Sequence, residues 1–189
     1  MQKSTAFIAA LAIWLTGCAH DPSVRVSRSA CVAGPPIDLE RYMGKWYVIA
    51  ETPFLSEHDY VGSYDEWTLR ADGKIDDKYL GRRHSFDQPA TGSQFVAKVM
   101  PGTGGTTWRV GLIWPFEVVV VTAYVDAGYR YTIRCMADGN MVWVLARNPT
   151  IDEAAYSDML DRLEGMGFNV DRVRRVPQSA GQIGLPGFQ

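Results

Sequence analysis

The sequence predicts an all-β chain: an eight-stranded antiparallel up-and-down β-barrel with one C-terminal α-helix and a short ninth strand. Three observations carry this. Short runs rich in β-branched and aromatic residues recur from Gly44 onward, the segments between them are turn-like, and a stripe at helical spacing appears only after the eighth run. Eight such strands close into a barrel with room for one small ligand. The chain has 189 residues, 47 % of them apolar, enough for one domain with a real core. A net charge of −2 argues against a nucleic-acid partner, whose binders carry a basic face.

Residues 1–17 read as a signal peptide. Met1-Gln2-Lys3 gives a positive start, and Ala6 to Leu15 is an apolar run of about ten residues, half of the ~20 that a spanning helix needs. Leu15-Thr16-Gly17-Cys18 follows the pattern of a bacterial lipobox, which makes Cys18 the expected lipidated N-terminus of the mature chain. An ordinary signal peptide containing a cysteine is the alternative. Each buried acyl CH₂ adds about 0.8 kcal/mol, so several chains on one cysteine hold a domain at a bilayer. Ala19 stands where lipoproteins kept at the inner membrane typically carry aspartate, which favours the outer membrane. Residues 18–36 are polar, end in Pro35-Pro36 and read as a tether, with the folded domain over 37–177.

The expected strands are Trp46–Glu51, Gly62–Leu69, Lys74–Gly81, Gln94–Met100, Thr107–Trp114, Val118–Val125, Tyr129–Met136 and Met141–Arg147. The first lies between the breakers Gly44 and Pro53. The separators "RADG", "DQPATG", "PGTGG", "DAG" and "ADGN" supply turn residues. Alternation is clear in "TWRVGLIW", where Trp108, Val110, Leu112 and Trp114 share a face, and in "MVWVLAR", where Met141, Trp143 and Leu145 do. Val118–Val121 is apolar on both faces, as for a strand covered outside by a helix. That helix is expected near 151–165, with Thr150 and Glu153 forming a capping box and Ile151, Ala155, Met159, Leu163 and Met166 forming the apolar stripe. "FNVDRVRRV" reads as the ninth strand and residues 178–189 as a flexible tail.

No catalytic constellation is legible. The histidines, His20, His58 and His84, are scattered, and no His-Glu-x-x-His, Gly-x-Ser-x-Gly or Cys-x-x-Cys occurs. "PGTGGTTW" lacks a phosphate-loop lysine, and "DGKIDD" lacks the distant glutamate of a calcium loop. Both read as turns. "RRH" at 82–84 reads as a solvated rim, with a lipid headgroup phosphate as its functional alternative. No cofactor, no metal and no enzymatic activity are expected.

Three motifs in order then resemble the lipocalins, most closely their bacterial outer-membrane lipoprotein branch, related to apolipoprotein D. "GKWYVIA" matches the Gly-x-Trp motif of the first strand. "VDAGYRYTIRC" matches the Thr-Asp-Tyr type motif through Asp126 and Tyr129, with Val125 in place of the threonine. "WVLARNP" matches the eighth-strand motif through Arg147. The resemblance covers about residues 31–177. It implies that Trp46 lies across the closed end of the barrel with Arg147 over its ring, a structural cation–π contact of about 0.5–2 kcal/mol. It also implies one amphipathic or apolar ligand in the barrel, a fatty acid or lysophospholipid, and a role in lipid storage, transport or repair at the periplasmic side of the outer membrane. A homodimer is compatible with it.

Parity set by Trp46 and Arg147 turns Trp143 and Leu145 inward, with Trp108, Val110 and Leu112. Alignment with the family pattern adds Trp67, Tyr79, Phe95, Ala97, Thr122 and Tyr124. The expected ligand-binding set is Trp108, Val110, Leu112, Tyr124, Trp143, Tyr79, Phe95, Ala97 and Thr122, with Trp67 and Leu145 nearer the base as core. The same parity turns Asp65 and Asp77 inward, either displaced by a bulge or near the mouth with Arg82 or Arg83. With Cys18 lipidated, Cys31 and Cys135 remain, an even pair in an oxidising compartment. Apolipoprotein D bridges the corresponding cysteines, which implies the same disulfide here. Rival readings on the same barrel are a pigment or tetrapyrrole carrier, an enzyme acting on lipid or isoprenoid epoxides, and an interaction module whose barrel is filled by its own side chains.

Overall fold

The computed structural model describes residues 31–53, 59–113 and 115–189. The signal peptide, Cys18, the tether before residue 31, His20, His58 and Trp114 lie outside the described residues. A single-turn helix α1 (Leu39–Tyr42) leads into β1 (Gly44–Glu51), β2 (Tyr60–Leu69), β3 (Lys74–Arg83), β4 (Thr91–Val99), β5 (Thr107–Ile113), β6 (Phe116–Val125), β7 (Tyr131–Met136) and β8 (Val142–Ala146). Helix α2 (Glu153–Gly165) and a two-residue β9 (Arg174–Arg175) follow. Each of β2 to β7 pairs antiparallel with the next, and β1 pairs with both β8 and β2, which closes the barrel and leaves its eight strands without a free edge. β9 adds to β1 through Ala50 and Glu51.

Two apolar clusters lie on opposite sides of the barrel wall. The outer one joins Met159 and Leu163 of α2 to Ile133, Val142, Val144 and Ala146. The inner one fills the closed end with Tyr42, Trp46, Trp67 and Trp108. Helix α2 starts later than the sequence suggested. Asp152, not Thr150, is the N-cap and accepts from the Ala155 backbone N–H (2.7 Å). The Glu153 carboxylate accepts from Arg175 Nη1 (2.8 Å) instead of closing a capping box. An aspartate caps as well as a threonine, and here it stands next to the first helical turn.

The outer cover of β6 is shared. The helix cover expected over Val118–Val121 lies further along, around Ala123 and Tyr124, which pack with α2. Around Val121 the strand is met by the leading segment, where Gly34 N–H donates to Thr122 O (3.0 Å) and Ile37 N–H to Gly104 O (2.8 Å). Cys31 and Cys135 are disulfide-bonded, with 5.8 Å between their Cα atoms. So residues 31–36, the end of the segment read as a tether, are fastened along the outside of the barrel, as the expected disulfide implies. Residues 178–189, expected to be flexible, also engage it: Gln178 Nε2 donates to Val48 O (2.7 Å) and Ser63 O (3.1 Å), and Gln189 N–H to Arg175 O (2.9 Å). Backbone carbonyls at the seam between β1 and β2 give a polar tail something to bind.

Candidate functional site

The lower barrel is solid. Trp46 is fully buried and its Nε1–H donates to Tyr42 O (2.8 Å). The Arg147 guanidinium lies 4.0 Å above its ring and donates to Lys45 O (2.8 Å) and Arg41 O (2.7 Å). Gly44 meets this plug with φ +92°, and a Cβ there would lie 3.3 Å from Arg147 Nη1. That position needs glycine both for its backbone and for the guanidinium. Above the plug, Trp67 stacks on Tyr42 at 5.1 Å and meets Trp108 edge-on at 5.2 Å. The Tyr42 hydroxyl shares hydrogen bonds with Thr132 Oγ1 (2.9 Å) and Thr122 Oγ1 (3.3 Å). Asp126 ties the adjoining turn by accepting from Arg130 and Tyr131 N–H, and the Tyr129 hydroxyl accepts from Asp38 N–H (2.7 Å).

Above this floor lies a cavity of about 360 Å³. Of the expected ligand-binding residues, Tyr79, Phe95, Val110, Leu112 and Trp143 line it. Trp108, Ala97 and Thr122 do not. They point inward but lie in the floor, Trp108 with its Nε1–H on Gly105 O (2.7 Å). Parity distinguishes inside from outside and carries no information about depth. Leu145, expected as core, does reach the cavity.

Tyr124 points the other way. The pairing of β6 with β7 shifts between Thr122 and Tyr124. A bulge of one residue sends the following side chains to the opposite face. Tyr124 therefore packs with the outer cluster under the Arg162 guanidinium of α2 (4.2 Å), and Val125 turns in.

Asp65 and Asp77 both line the cavity. Their level is the floor, not the rim where Arg82 and Arg83 sit. Asp77 Oδ1 accepts from Trp67 Nε1–H (2.9 Å). Burial pushes the Asp77 carboxyl above the usual carboxylate range, and the charge of Arg134 and the Trp67 hydrogen bond pull it back. Arg134, on β7, was not singled out in the sequence. Its signal was available: a disulfide to an outer segment turns Cys135 outward, so Arg134 must point in. The remaining wall, including Val48, Val118, Val120, Met136 and Met141, is apolar. An apolar cavity with a few convergent polar groups suits a small hydrophobic ligand.

Residues 37–178 match the family model described as a lipocalin-like domain. The chain is 27 % identical over 146 residues to the outer membrane lipoprotein Blc of Escherichia coli K12, covering 75 % of this chain and 79 % of that one. It is 24 % identical over 154 residues to temperature-induced lipocalin-1 of Arabidopsis thaliana, covering 76 % and 80 %. Among solved structures, insecticyanin from the tobacco hornworm Manduca sexta superposes with a TM-score of 0.61 at 11 % identity, covering 84 % of this chain and 92 % of that one.

Proposed function

The chain belongs to the lipocalin-like family, and on that premise we propose that it is a non-enzymatic, membrane-anchored carrier that binds a fatty acid or lysophospholipid in its barrel. The observation behind this reading is the 360 Å³ cavity above an aromatic floor, with walls that are apolar apart from one polar side. Burial of an acyl chain against such walls gains about 25 cal/mol per Å² of apolar surface and needs few polar contacts. The rings of Tyr42, Trp46, Trp67 and Trp108 fill the closed end and leave the cavity above them open, which disfavours the filled-barrel reading. Mass spectrometry of organic extracts from native protein should recover a lipid in amounts comparable to the protein. Tryptophan emission should be quenched by long-chain fatty acids, with affinity rising with chain length, because Trp143 lines the cavity. Absence of both would remove the reading.

A companion test uses the two faces of the wall. Leu112 lines the cavity near its mouth and is 44 % exposed, so a charge there is tolerable for folding. Leu112→Asp should weaken fatty-acid binding by about tenfold or more, the loss of one apolar side chain's contact plus a desolvated charge. Tyr124→Ala should leave affinity unchanged.

The anchor is Cys18, and the site of action is the periplasmic side of the outer membrane, as the lipobox and Ala19 suggest and as the name of the Escherichia coli relative supports. Cys18→Ser should move the protein from the membrane fraction to the soluble fraction. A variant that still sediments with outer membranes in high salt would exclude lipidation as the anchor.

A further inference from the structure

The floor of the cavity carries a charged group that an apolar ligand would leave unmet. Arg134 is 4 % exposed and lines the cavity. Its guanidinium lies over two indoles that meet edge-on, 4.6 Å from the Trp67 ring centre and 4.2 Å from that of Trp108. Contact with both rings restricts where the guanidinium sits and so where its N–H groups can point. Two of those groups, Nε and Nη2, have no hydrogen-bond partner among the described residues. A buried donor left without an acceptor is unfavourable, and more so when it is charged.

The charge of Arg134 is a separate matter, and the floor already answers it. Asp77 lies close enough for the two charges to interact, while its Oδ1 is engaged by Trp67 Nε1–H. Asp65 adds a second carboxyl to the same cavity. The floor therefore offers counter-charge and still leaves two donors open. Neither donor meets an oxygen acceptor among the described residues, and a third carboxylate would stand beside two others.

We propose that the cavity takes its lipid with an uncharged oxygen-bearing end inward, a hydroxyl or a carbonyl, whose oxygen accepts from Nε and Nη2 of Arg134. A hydroxyl fits the floor on both counts, since it also has a proton to donate to an aspartate. This assignment rests on the lipid-binding reading and deepens it: a fatty acid or lysophospholipid that enters tail first satisfies the floor only if its buried end carries such an oxygen. The ligand has an apolar body matching the Val, Met and Phe wall, and oxygen at the end that reaches the floor. Arg134 would thus select among lipids of equal length.

The test is titration of the purified full-length protein with hexadecane, hexadecanol and palmitic acid near neutral pH, read by tryptophan fluorescence and calorimetry. Hexadecanol should bind at least about tenfold more tightly than hexadecane, the effect of one hydrogen bond to a charged donor. Arg134→Met keeps an unbranched stem beside the indoles and should abolish that preference, so that hexadecanol and hexadecane bind the variant with equal affinity. Because that variant strands Asp77, Arg134→Met combined with Asp77→Asn removes both charges together and should show the same loss, with its fold checked by thermal melting. Equal affinity for hexadecanol and hexadecane in the natural chain overturns the proposal. So does a hexadecanol preference that survives in the double variant. Palmitic acid binding most tightly, with an advantage lost in the double variant, would assign the floor to a carboxylate and also overturn it. If none of the three binds, the lipid-binding reading itself fails.

Discussion

Replacing Trp46 with alanine should destabilise the barrel by about 3–5 kcal/mol, the range for truncating a buried tryptophan. Its ring is fully buried, 5.2 Å from Tyr42 and 6.2 Å from Trp67. Removal opens a cavity in the part of the barrel with least freedom to collapse, because α1 and the closing strands are tied there by Arg147. It also takes the donor from Tyr42 O and the ring from beneath the guanidinium. Typical domains have about 5–15 kcal/mol in total, so the alanine variant should be close to unfolding at growth temperature. Trp46→Phe keeps a ring and loses only the N–H and part of the volume, and should cost distinctly less. Urea unfolding of the two variants gives the comparison. An alanine variant within about 1 kcal/mol of the natural chain would mean that the plug contributes little beyond surface burial.

The Trp46 plug shows which parts of the molecule were legible in the sequence. Breakers at Gly44 and Pro53 frame β1, and similar punctuation frames the other strands, so number, order and handover to a helix follow from local chemistry. The barrel interior follows less well. Alternation turned Val110, Leu112 and Trp143 inward and the family pattern added Tyr79 and Phe95, and all five line the cavity. The same two signals also chose Trp108, Ala97 and Thr122, which lie in the floor, because depth depends on how far Tyr42 reaches up from α1. A four-residue helix is too short to show a period. Tyr124 failed for a different reason: a bulge leaves no mark in composition when the residues around it are all apolar or small. Arg134 was overlooked because one arginine in "YTIRCM" looks like an outward-facing charge until Cys135 is known to face the other way.

Cys135 also carries the other large expected effect. Loss of the Cys31–Cys135 bond should destabilise the protein by about 2–5 kcal/mol. The bond joins residues 104 apart, and chain entropy alone predicts about 4–5 kcal/mol for a loop of that length, a figure that residual structure in the unfolded chain reduces. Cys135 is fully buried in the outer cluster, so changing it would add a packing cost. Cys31 is half-buried at the edge of that cluster, which makes Cys31→Ser the cleaner variant. At about 2–4 °C for each kcal/mol in a domain of this size, its melting temperature should fall by roughly 5–15 °C. Reductant should lower the natural chain to nearly the same temperature and leave the Cys31→Ser, Cys135→Ser double variant unmoved. The hydrogen bonds from Gly34 and Ile37 to the barrel should weaken with the bond, so amide exchange at those two positions should quicken most. Ligand affinity should change little, since the bridge lies outside the wall and the cavity inside it. If melting of the natural chain is indifferent to reductant under conditions that expose two thiols, the leading segment is held by its backbone hydrogen bonds alone.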